Sequence, residues 1–511
     1  MKTLAQIPKS ELIASLRRIE IAYGIWIEAE KAKIADPSEK LIGHEGAAKR
    51  AVAGCDRAKE RIKAGIDLID SDPIAEEAFR FANHAMWQQR VHTIFSRKVR
   101  KKELKPEDGT TSVNLPENRS WRLFQLAFIL LNLPSLTNLA DPERSHETDA
   151  VADLLWFATG GGKTEAYLGL TAYTLALRRL QPPINGRPGE HGVAVLMRYT
   201  LRLLTLQQFQ RAAALLCACE MIRRSDEKKW GTTNFRLGLW VGRKTTPNTL
   251  TAAAESLRQG RVGGRPHAGG TPHQITSCPW CGTEIREMHL RVYEAPSDIG
   301  RCITYCGDNL GRCEFSEAKA PKEGLPVMVV DEDIYRRPPA LLIATVDKFA
   351  QMPWKGETQM LFGQVNGVCS RHGFRSPDIE DANSHPARNG LPKAQTVPHG
   401  PLRPPDLIIQ DELHLISGPL GSMVALYEAA IDELCSWEVN GKRVRPKVIA
   451  STATIARAPD QVRKLFVRNL EVFPPQGTNI ADSFFAIQRE IGGKYPGRRY
   501  LGICAFGRRY P

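Results

Sequence analysis

The residues best suited to chemistry in this chain of 511 begin with Thr159-Gly160-Gly161-Gly162-Lys163-Thr164. This string follows the apolar run Asp153–Phe157 and opens a stretch of good helix formers. Glycines let backbone N–H groups turn inward around phosphate oxygens, and a following helix adds its positive dipole end. In that strand–loop–helix context Lys163 would reach the β- and γ-phosphates of ATP, and the Thr164 hydroxyl would ligate Mg²⁺. Phe157 stands where the strict phosphate-loop pattern has its first glycine.

Phosphoanhydride hydrolysis also needs a carboxylate for the metal at the tip of a neighbouring strand, and a group that activates water. Asp411-Glu412-Leu413-His414 follows the apolar run Asp406–Gln410 and offers both. Asp411 is the expected Mg²⁺ partner of Thr164, Glu412 the general base, and His414 the link to whatever binds across the cleft. A further run, Lys447–Ser451, leads into Thr452-Ala453-Thr454. Upstream, Trp121-Arg-Leu-Phe-Gln125 opens a helix that places Gln125 before the phosphate loop.

Eleven cysteines without an export signal point to a reducing compartment, where metal sites outrank disulfides. Five of them, Cys278, Cys281, Cys302, Cys306 and Cys313, are clustered. Cys278-Pro-Trp-Cys281-Gly is a knuckle: two thiolates reach one ion and the glycine permits the turn. A tetrahedral Zn²⁺ needs a second pair. Cys306 and Cys313 are the choice, with Cys302 as the substitute for Cys306. Cys369-Ser-Arg-His372 has ligand spacing too, but no second pair is evident beside it; His385 and His399 lie in a Pro-rich loop.

Positioning these groups requires a sheet. Asp153–Phe157, Val193–Met197, Arg236–Val241, Ala340–Thr345, Asp406–Gln410 and Lys447–Ser451 are compact apolar runs, as in strands buried on both faces of a parallel sheet. Helical stretches at Thr164–Leu180 and Leu203–Arg224 follow two of them, which predicts an α/β, doubly wound fold. Before the sheet, Leu12, Leu16, Ile19, Tyr23 and Trp26 mark a helix with Ser10 as N-cap, and Asp72-Pro73 starts another whose face is Ile74, Ala78, Phe81 and Ala85. Lys98–Asn118 reads as a linker or exposed loop, and Ser376–Pro405, with seven prolines, as an exposed excursion.

Taken together the strings resemble a superfamily 2 helicase or translocase. Thr159–Thr164 resembles motif I, Asp411–His414 the DExH form of motif II, Thr452–Thr454 motif III, and Gln125 the adenine-reading glutamine of the Q-motif. Thr200-Leu-Arg202 with Gln207 resembles motif Ia, and Ala344-Thr345-Val-Asp-Lys348 motif Ib; both imply contact with a nucleic-acid backbone. The longer strings Phe157–Tyr167, Ile409–Gly421, Val330–Arg336 and Thr345–Ala350 are similar to the large helicase subunit of DISARM-type antiphage systems, the DrmA-like family. The resemblance implies a RecA-like fold, ATP and Mg²⁺ as cofactors, DNA as substrate, and a role in defence beside other subunits.

The expected organisation is a helical region over 1–118, the first part of a RecA-like lobe over 119–254, and a cysteine-rich zinc insertion over 255–325. The second part of the lobe covers 326–485 with the Pro-rich loop 376–405, and 486–511 starts a second lobe, with Arg498–Ile503 as its first strand. The reading is thus of one helicase half, its other lobe on a separate chain or lost; a non-catalytic DNA-binding or assembly module and an inert fragment are the alternatives. Net charge of +14 and a pI near 9.3 suit a polyanionic partner. No run approaches the ~18–20 apolar residues of a membrane span, and Met1–Arg18 turns polar at once, so the expected location is cytoplasmic.

Overall fold

The computed structural model describes residues 1–502 except 159, 201, 262–268, 296, 417 and 453–457, and gives only the backbone at 202–206, 260–261 and 419–420. Thr159, Ala453 and Thr454, together with the side chain of Arg202, therefore lie outside the described residues.

All six apolar runs become strands of one sheet: β1 Val151–Trp156, β2 Val195–Tyr199, β3 Leu237–Trp240, β5 Leu341–Thr345, β6 Leu407–Gln410 and β7 Lys447–Thr452. Two short strands, β4 Val327–Met328 and β8 Asn469–Phe473, complete it. The order is β8-β1-β7-β6-β2-β5-β3-β4, parallel throughout. Register places Gln410 beside Ala450 and Trp156 beside Thr452, so the ends of β1, β6 and β7 open onto one edge. Ligand sites of open α/β sheets form at that carboxyl edge.

Two apolar layers explain why the runs are continuous rather than alternating. Leu407 and Ile409 face the layer that holds Phe128, Leu170 and Leu216; Ile408 between them faces the layer that holds Val424, Ile431 and Val462. A strand so buried has no polar face. The first layer comes from α1 Lys9–Ala35, α2 Glu45–Ser71, α3 Pro73–Arg100, α4 Leu123–Thr137, α5 Lys163–Leu180 and α6 Arg202–Ser225. The second comes chiefly from α7 Gly418–Cys435 and α8 Ala458–Phe466. The N-terminal helices thus share one core with the sheet.

Helix α3 begins as its sequence implies: Asp72 Oδ1 accepts from Ile74 N at 2.8 Å and Ala75 N at 3.3 Å, with Pro73 in the first turn. Helix α1 instead starts after Pro8, with Ser10 inside it, and buries Leu12, Leu16, Ile19, Tyr23 and Ile27. Residues 101–118 are not a free linker: short 3₁₀ turns bury Val113, and Asn114 Oδ1 accepts from Trp87 Nε1 at 2.9 Å. Nor is 376–405 a bare excursion. Ser384–His385 and Ala394–Pro398 form a small antiparallel sheet with Gly367–Cys369 and Gly373–Arg375. Arg498–Gly502, expected in a strand, is in none, and 503–511 lies outside the described residues.

Buried ions lock the sheet to its helices. Asp153 of β1 receives Arg61 of α2 at 2.6 and 2.9 Å and Lys447 of β7 at 2.7 Å. Asp406, just before β6, gathers Arg144 at 2.8 Å, Arg403 at 3.1 Å and Arg178 at 3.5 Å. Burial alone would push each carboxyl up, yet the surrounding cations hold both at about 2.

Candidate nucleotide site

The loop between β1 and α5 is built around Phe157. Its ring stacks on Phe124 at 3.9 Å, and its carbonyl accepts from Lys163 Nζ at 2.8 Å. A Cβ on residue 161 would stand 2.5 Å from Phe157 Cδ1, so the large residue in place of the first glycine requires Gly161 opposite it. Gly160 and Gly162 take φ of +77° and +95°, which favour glycine.

Gln125 lies against this loop. Its Nε2 donates to Gly162 O at 2.8 Å while its Oε1 accepts from Arg122 N at 2.8 Å. Arg122 itself donates to Gly161 O at 2.6 Å. The residue singled out for adenine recognition is buried, and its amide is bonded to the loop and to the start of its own helix.

Asp411 and Glu412 follow β6. Asp411 Oδ1 accepts from Ser451 Oγ of β7 and from Glu412 N at 3.0 Å. Burial raises the Asp411 carboxyl above its usual range, and the Ser451 bond and the charges of Lys163 and Arg211 offset only part of that. A buried carboxylate so raised is stabilised by a cation, which suits a Mg²⁺ ligand. Glu412 adopts φ +48°, an uncommon backbone for its type and of the sort found at functional sites. Gln461 of α8 pins the turn, donating to Leu413 O at 2.9 Å and Ile416 O at 2.5 Å. His414 Nδ1 lies 3.4 Å from Glu412 Oε2 and 3.2 Å from Thr452 Oγ1. His414 thus stands between Thr452 and Glu412, in contact with each.

These parts meet in a cavity of about 620 Å³ whose lining includes Gln125, Gly160, Gly162, Lys163, Thr164, Asp411 and Glu412. That is within the usual size of small-molecule sites. Glu165, Arg90 and Arg211 line it as well and had no sequence signal beyond the position of Glu165 next to the loop. Glu165 is buried and pairs with Arg90 at 3.1 Å and with Arg211 of α6.

Of the residues expected on a nucleic-acid backbone, Gln207 lines this same cavity and Thr200 is half-buried just after β2. Thr345 and Lys348 differ from expectation. Thr345 is fully buried, and the Lys348 ammonium is buried on Asp331 Oδ2 at 2.6 Å, over the Trp240 ring. The paired carboxylate comes from a distant segment, which the local string could not reveal.

Cys278, Cys281, Cys306 and Cys313 are all buried, with their sulfurs within 4.8 Å of one another. Cys278 Sγ is 3.9 Å from Cys313 Sγ, and Cys281 Sγ is 3.4 Å from Cys306 Sγ. Hydrogen bonds from its three neighbours push the Cys281 thiol well down. Cys302 is buried elsewhere, its N–H donating to Asp333 Oδ2 at 3.2 Å. The cluster is seated on α3: Trp280 stacks on His92 at 3.3 Å, and His92 Nδ1 lies 2.8 Å from Trp280 O.

The sheet, the glycine loop and the Asp411–His414 string are the parts that a superfamily 2 resemblance requires, and here they lie at one sheet edge. Along nearly all of its length the chain is similar to a DrmA protein. It is 38% identical over 505 residues to the DISARM protein DrmA of Bacillus paralicheniformis, spanning 97% of this chain and 42% of that one. The resemblance first carried by short strings therefore extends along nearly the whole chain, while the chain spans less than half of its relative. No family model matches. A solved structure, the DUF1998 helicase MrfA, aligns over 63% of this chain and 27% of its own at 12% identity and a TM-score of 0.30, a likeness too slight to bear on fold or function.

Proposed function

We propose that this chain is the ATP-binding lobe of a nucleic-acid helicase or translocase of the DExH type, acting on DNA in antiphage defence. The observation that carries this is the convergence of Lys163, Thr164, Asp411 and Glu412, from two separate segments, on one cavity. Lys163 would exchange the Phe157 carbonyl for the β- and γ-phosphates, with loop N–H groups around them. Thr164 and Asp411 would hold Mg²⁺, which when bound neutralises charge on the phosphate oxygens. Glu412 would take the proton of the attacking water. Thr452, bonded to His414, would pass the state of the site to nucleic acid lying across the sheet edge.

Four thiols without a carboxylate form a soft donor set that fits a structural Zn²⁺ on Cys278, Cys281, Cys306 and Cys313. In the working enzyme a second RecA-like lobe, on the same polypeptide or on another, would face the cavity and add arginines to it. Other subunits of the defence system are the proposed protein partners. A non-catalytic binding module is the second reading, favoured by the engagement of both Lys163 and Gln125 in bonds within the protein.

ATP turnover, with and without single-stranded DNA, separates the two. DNA-stimulated turnover that Lys163→Ala abolishes supports the helicase, whereas ATP binding and DNA affinity without turnover support the module. Unchanged ATP affinity in Lys163→Ala would remove the phosphate-loop assignment altogether.

A further inference from the structure

Cys369-Ser-Arg-His372 has no second ligand pair close to it in sequence, yet folding supplies further donors. The small antiparallel sheet sets Thr396 beside Cys369 and Ala394 beside His385, which brings His385 back over the knuckle. Cys369, His372 and His385 are all buried, and their ligand atoms lie within 4.8 Å of one another. Cys369 Sγ is 3.9 Å from His372 Nδ1. Asp381 stands beside both histidines, its Oδ2 3.3 Å from His372 Nδ1 and its Oδ1 3.5 Å from His385 Nε2, though it is not among the three residues whose ligand atoms all lie within 4.8 Å. Around a tetrahedral ion at about 2.0 Å from nitrogen and oxygen and about 2.3 Å from sulfur, neighbouring donors stand about 3.3–3.6 Å apart. The spacing found here is close to that.

We propose that Cys369, His372 and His385, with Asp381 as fourth donor, form a second metal site that takes a divalent transition ion of the zinc class and fastens the Pro-rich segment to the lobe. Three independent features point to a ligand. His385 Nε2 is buried and makes no hydrogen bond. His372 Nε2 lies 3.1 Å from Asp298 O, the outer bond that turns Nδ1 toward Cys369 and Asp381. Gly373 follows the second ligand with φ +91°, as Gly282 follows Cys281 with φ +82°, so both knuckles turn alike. Arg371 N donates to Cys369 Sγ at 3.4 Å, and Arg336 holds Asp381 Oδ2 at 2.6 Å from the outer side. His372 and Asp381 border a cavity of about 620 Å³, which gives an ion a way in.

Elemental analysis of the purified chain tests this. Wild type should carry two zinc ions, one for each ligand cluster, and Cys369→Ser and His385→Asn should each carry one. Cys281→Ser should lose the other ion and keep this one. Loading wild type with Co²⁺ gives a readout that needs no variant. Two binding steps, one with four-thiolate and one with single-thiolate absorption, would support the site. A single zinc unaffected by Cys369→Ser and His385→Asn, or a purely four-thiolate cobalt spectrum, would overturn it.

Discussion

At the scale of single residues, the site divides into groups that touch the cavity and groups that hold them. Glu412 belongs to the first kind, and among the described residues its ion-pair partner is His414. Glu412→Gln should keep ATP affinity and lower turnover by about 10²-fold or more, since general base catalysis contributes about 10²–10⁴; steady-state turnover beside equilibrium nucleotide binding checks it. Gly161 belongs to the second kind. Gly161→Ala would force Phe157 off Phe124 and shift the carbonyl that holds Lys163, so ATP affinity should fall in a binding titration although no group facing phosphate is lost. Thr452→Val removes the hydroxyl next to His414. Basal turnover should survive it while the stimulation by DNA falls, read as the ratio of the two rates.

At the scale of elements, α3 is the part on which both special regions rest. Its residue Arg90 reaches Glu165 beside the phosphate loop, and its His92 stacks on Trp280 of the cysteine cluster. Burial lowers the His92 imidazole to about 4, so it stays neutral at physiological pH and stacks without a charge to solvate. Removal of the metal proposed for the four cysteines should therefore loosen more than the insertion. Chelation should expose amide hydrogens of α3 between Arg90 and Arg100 as well as those of 275–320, measured by hydrogen exchange. Trp280→Ala should cost about 3 kcal/mol, the common loss for a large aromatic truncated in a packed site, checked by denaturant unfolding. Protection of α3 unchanged by either treatment would mean that the cluster and the helix are energetically separate.

At the scale of the whole molecule, two buried carboxylates tie the layers together. Asp153 and Asp406 sit at about 2 in the folded chain against an ordinary value of 3.8. A depressed carboxyl stabilises the fold fully above its unfolded value and loses that contribution as pH falls through the folded one. Each shift is worth about 2 kcal/mol, so stability should fall steeply between about pH 4 and pH 2. Burial also lowers Lys447, Arg144 and Arg178, but these stay charged throughout that window and leave its position unchanged. Urea midpoints measured from pH 5 downward give the slope, and Asp406→Asn should flatten it; a midpoint constant to pH 2 would contradict the assignment.

How much of this was legible before folding follows from where each signal resides. Six strands could be read because a parallel sheet covered on both faces demands unbroken apolar runs; β4, two residues long, carries too little pattern to be seen. The glycine loop and the DExH string were legible because phosphate and metal chemistry constrain residues next to one another in the chain. The spacing alone leaves Cys302 and Cys306 as rival partners of the knuckle, and only the hairpin turn between Leu290–Tyr293 and Arg301–Thr304 decides which sulfur arrives. The same holds for His385, gathered to Cys369 by strand pairing, while His399 is left half-buried beside Phe374. Lys348 reads in sequence as a contact to a nucleic-acid backbone, whereas in the fold it is buried on Asp331, 17 residues upstream. Residues whose roles depend on near neighbours in the chain are thus determined by sequence alone. Ion pairs, ligand sets and the turning of Gln125 inward rest on contacts between distant segments, and only the tertiary structure supplies those.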